Sequence, residues 1–229
     1  MILQLSVTPD TRLLSAVPYL TRGGSVADVG TDHAYLPIYL VQEGIVSHAL
    51  ACDINEGPIL SARKNIAEAG LLDRIDTLQT DGLHGVEAYS PDNIMIFGMG
   101  GELIARILSE APWIKRESVG LILQPMSRVS VLREWLLKNG FAIVGETVTF
   151  EDKYYQTVCA RYCGERSSYS AVELQVGRLN ISNRPPHFEG LVRHEIAVLD
   201  AIIRGKSRSE SADVAEELRL KQDLEELLS

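Results

Sequence analysis

Apolar runs with the length of β-strands alternate with amphipathic segments over about the first 160 residues. The five runs are "SVADVG" (25–30), "HALACDI" (48–54), "IDTLQTDG" (75–82), "NIMIFGMGG" (93–101) and "VGLILQPM" (119–126). Helical patterns follow four of them, over 35–44, 57–70, 102–111 and 131–140, and a short connection follows the third. We interpret the region as five βα units, because parallel strands need such crossovers. This alternation predicts an α/β fold, an open sheet with helices on both faces.

Two further strand-like segments close this region, "FAIVGETVTF" (141–150) and "YYQTVCARY" (154–162). The chain leaves no room for a helix between them, so they are predicted to pair as an antiparallel hairpin. The whole is then a doubly wound, Rossmann-like sheet of seven strands. A closing hairpin of this kind is typical of class I methyltransferases and unusual in NAD-binding Rossmann domains.

The composition changes after residue 164, where "GERSSYS" (164–170) makes a polar break. Apolar residues then recur at helical spacing in two stretches, separated by the polar link "GKSRSES" (205–211). The first stretch contains Val192, Ile196, Leu199 and Ile203, and the second contains Val214, Leu218, Leu224, Leu227 and Leu228. These patterns predict a small C-terminal α-helical hairpin. We therefore divide the chain into residues 1–164, a cofactor-binding domain, and 165–229, a helical domain.

The formal net charge of −9 is unevenly distributed along the chain. Residues 1–114 carry 6 basic and 14 acidic residues, residues 115–208 carry 14 and 10, and residues 209–229 carry 2 and 7. A basic middle permits a polyanionic partner, although a solvated surface of mixed charge accounts for it equally well.

Several classes of protein do not fit the sequence. Three cysteines without a CxxC pair indicate reduced thiols, and the N-terminus lacks the pattern of a signal peptide, so we expect a cytoplasmic protein. No apolar run approaches the roughly 20 residues of a membrane span. Neither metal-ligand spacing of histidines, nor a Walker lysine, nor a serine elbow is present, and we expect no metal.

Polar residues and glycines gather where the five predicted parallel strands end. In open α/β sheets the ligand binds at this edge. A carboxylate such as Asp53 suits the two hydroxyls of a ribose, and Asp81 can accept from an adenine amino group. Asp28 and Asp32 would repel a pyrophosphate but attract an ammonium group. This combination favours S-adenosylmethionine (SAM), which has a ribose, an adenine, an ammonium and no phosphate.

Five segments together resemble the bacterial TrmK family, which methylates N1 of adenosine 22 in tRNA. They are "ADVGTDHAYLP", "ACDINEGP", "TDGL", "GMGGELIARIL" and "LILQPM" with "LREWL", within a match from about Arg12 to Arg161. The resemblance implies a SAM-dependent tRNA methyltransferase, monomeric or a weak homodimer, whose C-terminal hairpin helps to hold tRNA. Two residues depart from the family pattern: Phe97 replaces the usual Ala, and Met126 replaces the usual Asn.

The candidate site follows from the strand ends and this resemblance. Asp28 and Asp32 are the candidate catalytic residues, because negative charge stabilises the ring that becomes cationic; alternatively, Asp28 only orders its loop. The predicted cofactor-binding residues are Asp28, Gly30, Asp32, His33, Asp53, Ile54, Asp81, Gly82, Gly98 and Met99. The predicted substrate-binding residues are Tyr35, Gly100, Gly101, Gln124, Pro125 and Arg128.

Simpler interpretations stay open for several of these side chains. His33 contacts a ligand or caps backbone groups, and Tyr35 stacks on the target base or packs in the core. Gln124 presents its amide to a base or ends a strand. Arg106, Arg128 and Arg133 contact phosphates or are solvated helix residues.

Two other functions also remain open on the sequence alone. One is a SAM enzyme of the same fold that acts on a small molecule or a protein. The other is a SAM-binding module without catalysis.

Overall fold

The computed structural model describes residues 9–206 and 213–229, and it contains one seven-stranded sheet in the order β3-β2-β1-β4-β5-β7-β6. The strands are β1 (Ser25–Val29), β2 (His48–Asp53), β3 (Ile75–Gln79), β4 (Asn93–Phe97), β5 (Gly120–Gln124), β6 (Phe141–Phe150) and β7 (Tyr154–Tyr162). The first five are parallel, and β7 is antiparallel to both β5 and β6. The predicted α/β fold class, with its closing hairpin, is confirmed.

Helices cover both faces of the sheet. In the described residues they are α1 (Thr11–Leu14), α2 (Tyr35–Gln42), α3 (Glu56–Glu68), α4 (Gly101–Ser109), α5 (Val129–Lys138), α6 (Ala171–Val176), α7 (Arg178–Asn183), α8 (Phe188–Lys206) and α9 (Ala215–Glu226). The third of the five predicted βα units differs from the others. A 3-10 helix, Val86–Tyr89, follows β3 in place of an α-helix.

The two faces of the sheet form separate cores, because side chains of a strand point alternately to either side. Ala27 and Val29 of β1 pack with apolar residues of α4 and α5 on one face. Val26 of the same strand packs with α2, α3 and the N-terminal segment on the other face. No helix within 9–206 and 213–229 has the length and hydrophobicity of a membrane span.

The region after β7 contains more helix than the predicted hairpin. Two short helices, α6 and α7, precede α8 and α9, which contact each other as the predicted helical pair. Most of the predicted polar link, its residues 207–211, lies outside the described residues. A third apolar cluster joins Val148 of β6 to residues of α6, α8 and α9. The helical region is therefore packed on the edge of the sheet through β6.

Candidate active site

A cavity of about 360 Å³ lies at the carboxyl ends of β1 and β4, where the strand order reverses. We call it the strand-end cavity. It is lined by Asp10, Arg12, Leu13, Asp28, Gly30, Thr31, Asp32, His33, Ala34, Tyr35, Leu36, Phe97 and Gly98. Six of the residues predicted to bind ligands therefore meet in one cavity: Asp28, Gly30, Asp32, His33, Tyr35 and Gly98.

Asp28 is a carboxylate held inside the sheet at the cavity wall. It is the fourth residue of β1, between Ala51 of β2 and Met95 of β4, and its exposure is 8%. Burial raises the pKa of this carboxyl to about 6; a hydrogen bond from the Thr31 side chain opposes the shift, and the charge of Asp53 adds to it. A bound cation would stabilise the charged form.

Gly30 makes the turn that leads the chain out of β1. Its φ of +85° favours glycine, and a Cβ at this position would collide with the Met99 side chain. Its amide donates to the carbonyl of Cys52, as does that of Thr31, which ties the turn to β2.

The segment 31–35, which ends in the first residue of α2, carries four polar side chains at the cavity: Thr31, Asp32, His33 and Tyr35. His33 Nε2 lies 3.2 Å from Asp32 Oδ2, and the His33 and Tyr35 rings stack with centroids 5.1 Å apart. Tyr35 is 40% exposed, so it does not belong to the core. Asn65 of α3 donates to the His33 carbonyl at 2.9 Å and fixes the loop.

Asp53 and Ile54 lie at the end of β2, beside the cavity. Asp53 Oδ1 accepts from the backbone amide and the side-chain amide of Asn55, at 2.8 and 3.2 Å. Ile54 is 56% exposed, which is unusual for so apolar a side chain beside buried strands. The pair offers a carboxylate oxygen and an apolar surface at the same place.

Asp81 and Gly82 follow β3 by two and three residues. Asp81 is exposed, and its carbonyl accepts from the His84 ring nitrogen Nδ1 at 2.7 Å. Gly82 has a φ of +59° and lies against Ile107 of α4. They are outside the strand-end cavity but at the same edge of the sheet.

The loop after β4 is tied to the loop after β5. Met126 donates from its amide to the Met99 carbonyl at 2.8 Å, and Gly101 donates to the Ser127 carbonyl at the same distance. A Cβ on Gly101 would collide with the Arg128 carbonyl, so this buried glycine serves the packing of α4. Gly101 has no surface for the substrate contact that the sequence predicted, whereas Gly100 is half-buried.

Two other predicted contacts are corrected by the structure. Gln124 is fully buried and hydrogen-bonded to Arg12 and Thr157, so its amide does not face a substrate base. Arg133 is also fully buried, with Nε 2.7 Å from Glu146 Oε1, and it is not a phosphate contact. Both residues occupy positions where the sequence pattern does not distinguish a buried polar side chain from an exposed one.

The other two arginines are on the surface. Arg128 is paired with Glu102 at 3.1 Å, and Arg106 with Glu110 at 4.0 Å. Such exposed pairs contribute little and can open to another anion.

A second cavity, of about 480 Å³, extends from the loop after β5 to α8 and α9. Pro125, Met126 and Arg128 line it together with Lys153 and His194. The predicted substrate residues Pro125 and Arg128 therefore face this second cavity and not the strand-end cavity. Met126, which departs from the family pattern, is 39% exposed there.

The sequence reasoning missed Asp10, Arg12 and Leu13 as lining residues of the strand-end cavity. They belong to the start of α1, where Asp10 Oδ1 accepts from the Leu13 amide at 2.9 Å as an N-cap. An acidic residue three positions before an apolar pair was the available signal, but it predicts a helix start and not a site. Among the described residues, no group of three or more His, Cys, Asp or Glu side chains is placed to hold a metal ion.

The fold and the cavity define a methyltransferase of the class I type, and the family model "Methyltransferase domain" matches residues 10–158. A curated relative, the tRNA (adenine(22)-N(1))-methyltransferase of Bacillus subtilis (strain 168), is 38% identical over 169 residues, which cover 73% of this chain and 71% of the relative. The chain belongs to the tRNA (adenine(22)-N(1))-methyltransferase family.

Two solved structures agree with this assignment. The B. subtilis m1A22 tRNA methyltransferase TrmK superposes with a TM-score of 0.79 at 31% identity, over 97% of this chain and 98% of that one. The M. capricolum TrmK, in complex with S-adenosyl-homocysteine, has a TM-score of 0.77 at 26% identity, over 96% of each chain. The TrmK resemblance found in the sequence is thereby confirmed.

Proposed function

We propose that this chain transfers a methyl group from S-adenosylmethionine to N1 of adenosine 22 in tRNA. The observation that carries the proposal is the strand-end cavity itself, which the buried Asp28 carboxylate lines together with the turns at Gly30 and Gly98. A negative wall of this kind suits a ligand with an ammonium and a sulfonium group. Family membership supplies the tRNA and the position of the base.

The residues around the cavity fit the cofactor in three places. Asp53 Oδ1 accepts from Asn55, and Oδ2 would accept from the hydroxyls of a ribose. Ile54 presents an exposed apolar side chain for the adenine, with Asp81 further along the edge to accept from its amino group. Asp28 and Asp32 would face the ammonium end of the cofactor, because carboxylates attract a positively charged group.

The reaction does not require the protein to remove a proton from the adenine before the methyl group is transferred. S-adenosylmethionine supplies an electrophilic methyl group carried on a sulfonium. Adenine N1 already has a lone pair, so the protein must extrude the base, align N1 with the methyl group and stabilise the positive charge that develops on the ring. We assign the charge stabilisation to Asp28, with Asp32 at the cavity mouth, and the stacking of the base to Tyr35.

We also propose that the chain divides functionally into residues 1–164, which bind the cofactor, and 165–229, which contribute to tRNA binding. The second cavity supports this division, because the cations Arg128 and Lys153 line it on one side and α8 and α9 line the other. Because tRNA is the proposed substrate, we place the protein in the cytoplasm. We propose that it works as a monomer or a weak homodimer.

Methyl transfer from labelled SAM to unmodified tRNA tests the function. Digestion of the tRNA to nucleosides should yield labelled 1-methyladenosine, and a tRNA with guanosine at position 22 should remain unlabelled. A SAM enzyme with a small-molecule or protein substrate would label neither tRNA. A non-catalytic module would bind SAM in a calorimeter and transfer nothing, so these alternatives give distinct results.

A further inference from the structure

A hydrogen-bonded network fixes Arg12 at the strand-end cavity. The Gln124 side chain accepts from Arg12 Nη1 through Oε1 at 3.2 Å, and it donates from Nε2 to the Arg12 carbonyl at 3.0 Å. The same Nε2 lies 2.9 Å from Thr157 Oγ1 of β7. Because Gln124 is fully buried, this one amide holds both the main chain and the guanidinium of Arg12 in a fixed place.

These contacts fix the Arg12 guanidinium but leave some of its N–H donors free for a ligand. Its Cζ lies 5.1 Å from the centre of the Tyr155 ring, and Nη2 lies 3.5 Å from Asp10 Oδ2 in a long, partly exposed pair. A guanidinium has five N–H donors in a planar fork, and the contacts to Gln124 and Asp10 use two of them. Among the residues that line the strand-end cavity in the described chain, Arg12 is the one permanent cation.

The strand order shows which ligand this cation faces. Asp53, proposed to hold the ribose of SAM, ends β2, and Asp28, proposed to face its ammonium group, lies in the neighbouring β1. The next strands in the same direction are β4, β5 and β7, and we place the target nucleotide over them because the proposed cofactor site occupies the ends of β1 and β2. Arg12 is attached to Gln124 at the end of β5 and lies against Tyr155 of β7. The cation is therefore on the nucleotide side of the cavity.

We propose that Arg12 binds the phosphate of the nucleotide to be methylated, and that Gln124 is the positioning residue for its guanidinium. A planar guanidinium binds phosphate through two parallel hydrogen bonds, so a fixed fork sets both the distance and the direction of the nucleotide. Lys153, which also lies against the Tyr155 ring at 5.3 Å, adds a second cation on this side. The inference rests on the proposed tRNA methylation.

The test compares Arg12→Met and Arg12→Lys with the control Arg22→Met in the full-length protein. Arg22 is an exposed arginine just before β1, at the opposite edge of the sheet. We expect Arg12→Met to raise the KM for tRNA about ten- to a hundredfold, the usual effect of losing a charged hydrogen bond, with SAM affinity changed less than twofold. Arg12→Lys should fall between Arg12→Met and wild type, and Arg22→Met should match wild type.

The salt dependence of tRNA binding identifies the phosphate. Loss of one phosphate contact should reduce the slope of log Kd against log salt concentration by roughly 0.7 to 0.9 in Arg12→Met, and leave it unchanged in Arg22→Met. Gln124→Met should also raise the KM for tRNA. If Gln124 acts through Arg12, the double variant should be hardly worse than Arg12→Met alone, whereas a purely structural role would make the two effects add.

Each other outcome overturns the inference in a recognisable way. Weaker SAM binding with an unchanged KM for tRNA would assign Arg12 to the cofactor carboxylate. A higher KM for tRNA with an unchanged salt slope would assign it to the base. If the wild-type protein methylates tRNA and Arg12→Met does so equally well, only the proposed role of Arg12 is refuted. If the wild-type protein does not methylate tRNA, the proposed function is refuted. Circular dichroism and thermal melting establish that each variant is folded.

Discussion

Two carboxylates are buried in this sheet, Asp28 at the strand-end cavity and Glu146 at the junction with the helical region, and their surroundings are opposite. Glu146 Oε1 accepts from Arg133 Nε at 2.7 Å, and Oε2 accepts from the Leu179 amide at 2.9 Å. Asp28 has no buried cation beside it among the described residues, and its pKa is raised to about 6. Exposure alone, 8% for Asp28 and 5% for Glu146, does not separate them.

The difference shows what each region is built for. At the junction, Arg133 also donates to the Leu174 carbonyl at 2.8 Å and to Gln156 Oε1 at 2.8 Å, so the charges are compensated inside the protein. At the cavity, no cation among the described residues compensates the charge of Asp28, and we propose that a cationic ligand does so when it binds. A buried carboxylate with its partners in place is costly to separate from them, and one without partners is a candidate for binding a ligand. The following predictions test this contrast.

The largest effect is expected at the junction. Arg133→Met removes the cation and leaves Glu146 charged, buried and short of a partner, which should lower the free energy of unfolding by about 3–5 kcal/mol. Urea denaturation measures this loss. The double variant Arg133→Met, Glu146→Leu removes both charges and should recover much of the stability. A loss below about 1 kcal/mol in the single variant would show that the ion pair is not structural.

Asp28→Asn should have the next largest effect, on turnover. The substitution keeps the shape of the side chain but removes the charge next to the ring that becomes cationic, so kcat should fall by roughly a hundredfold. Single-turnover methylation at saturating SAM and tRNA isolates this step. A rate near that of wild type would mean that Asp28 only orders its loop. The free energy of unfolding should not fall, unlike that of Arg133→Met, because Asn removes the cost of burying a charge.

Asp53→Ala tests a third carboxylate, which is half-buried at the end of β2. Removal of an acceptor for two ribose hydroxyls should weaken SAM binding by about ten- to a hundredfold. Calorimetric titration of the folded variant gives the affinity directly. Asp76→Ala is the matched control, because this exposed Asp lies near the start of β3, away from the carboxyl ends of the strands. Equal SAM affinity in both variants would contradict the ribose assignment.

The smallest effect is the pH dependence of the free enzyme. Asp28 gains a proton as the pH falls through about 6, and the neutral side chain no longer attracts a cation. The kcat/KM for SAM should therefore fall about twofold near pH 6 and further below it, since this parameter reports the free enzyme. Asp28→Asn should lack this inflection. Because the pKa is raised in the folded state, the Asp28 contribution to folding stability should improve over the same acid range in wild type.

The polar residues where β1 and β2 end were predictable from the sequence. Asp28 and Asp53 lie at or next to the ends of apolar runs in the sequence, and parallel strands bring such ends to one edge. Gly30 was recognisable as a turn because a glycine directly follows the strand. These features depend on neighbours within a few positions, which the sequence itself displays.

The nucleotide side was not predictable in the same way. Gln124 ends a strand just as Asp53 does, yet it is buried, because α1 crosses the end of β5 and covers it with Arg12. Arg133 sits in a helix with other charged residues, yet it is enclosed by β6 and the helical region. In both cases the partner is separated by many residues along the chain.

The sequence by itself determined the seven strands, the class of fold and the polar residues where β1 and β2 end, because periodicity and turn chemistry are local properties of the chain. Only the tertiary structure decided which polar side chains remain available to a ligand. Gln124 and Arg133 are buried against partners that are distant in the sequence, whereas Arg12 lines the cavity. Whether a polar group is exposed, compensated or left charged depends on what packs against it, and that packing exists only in the folded protein.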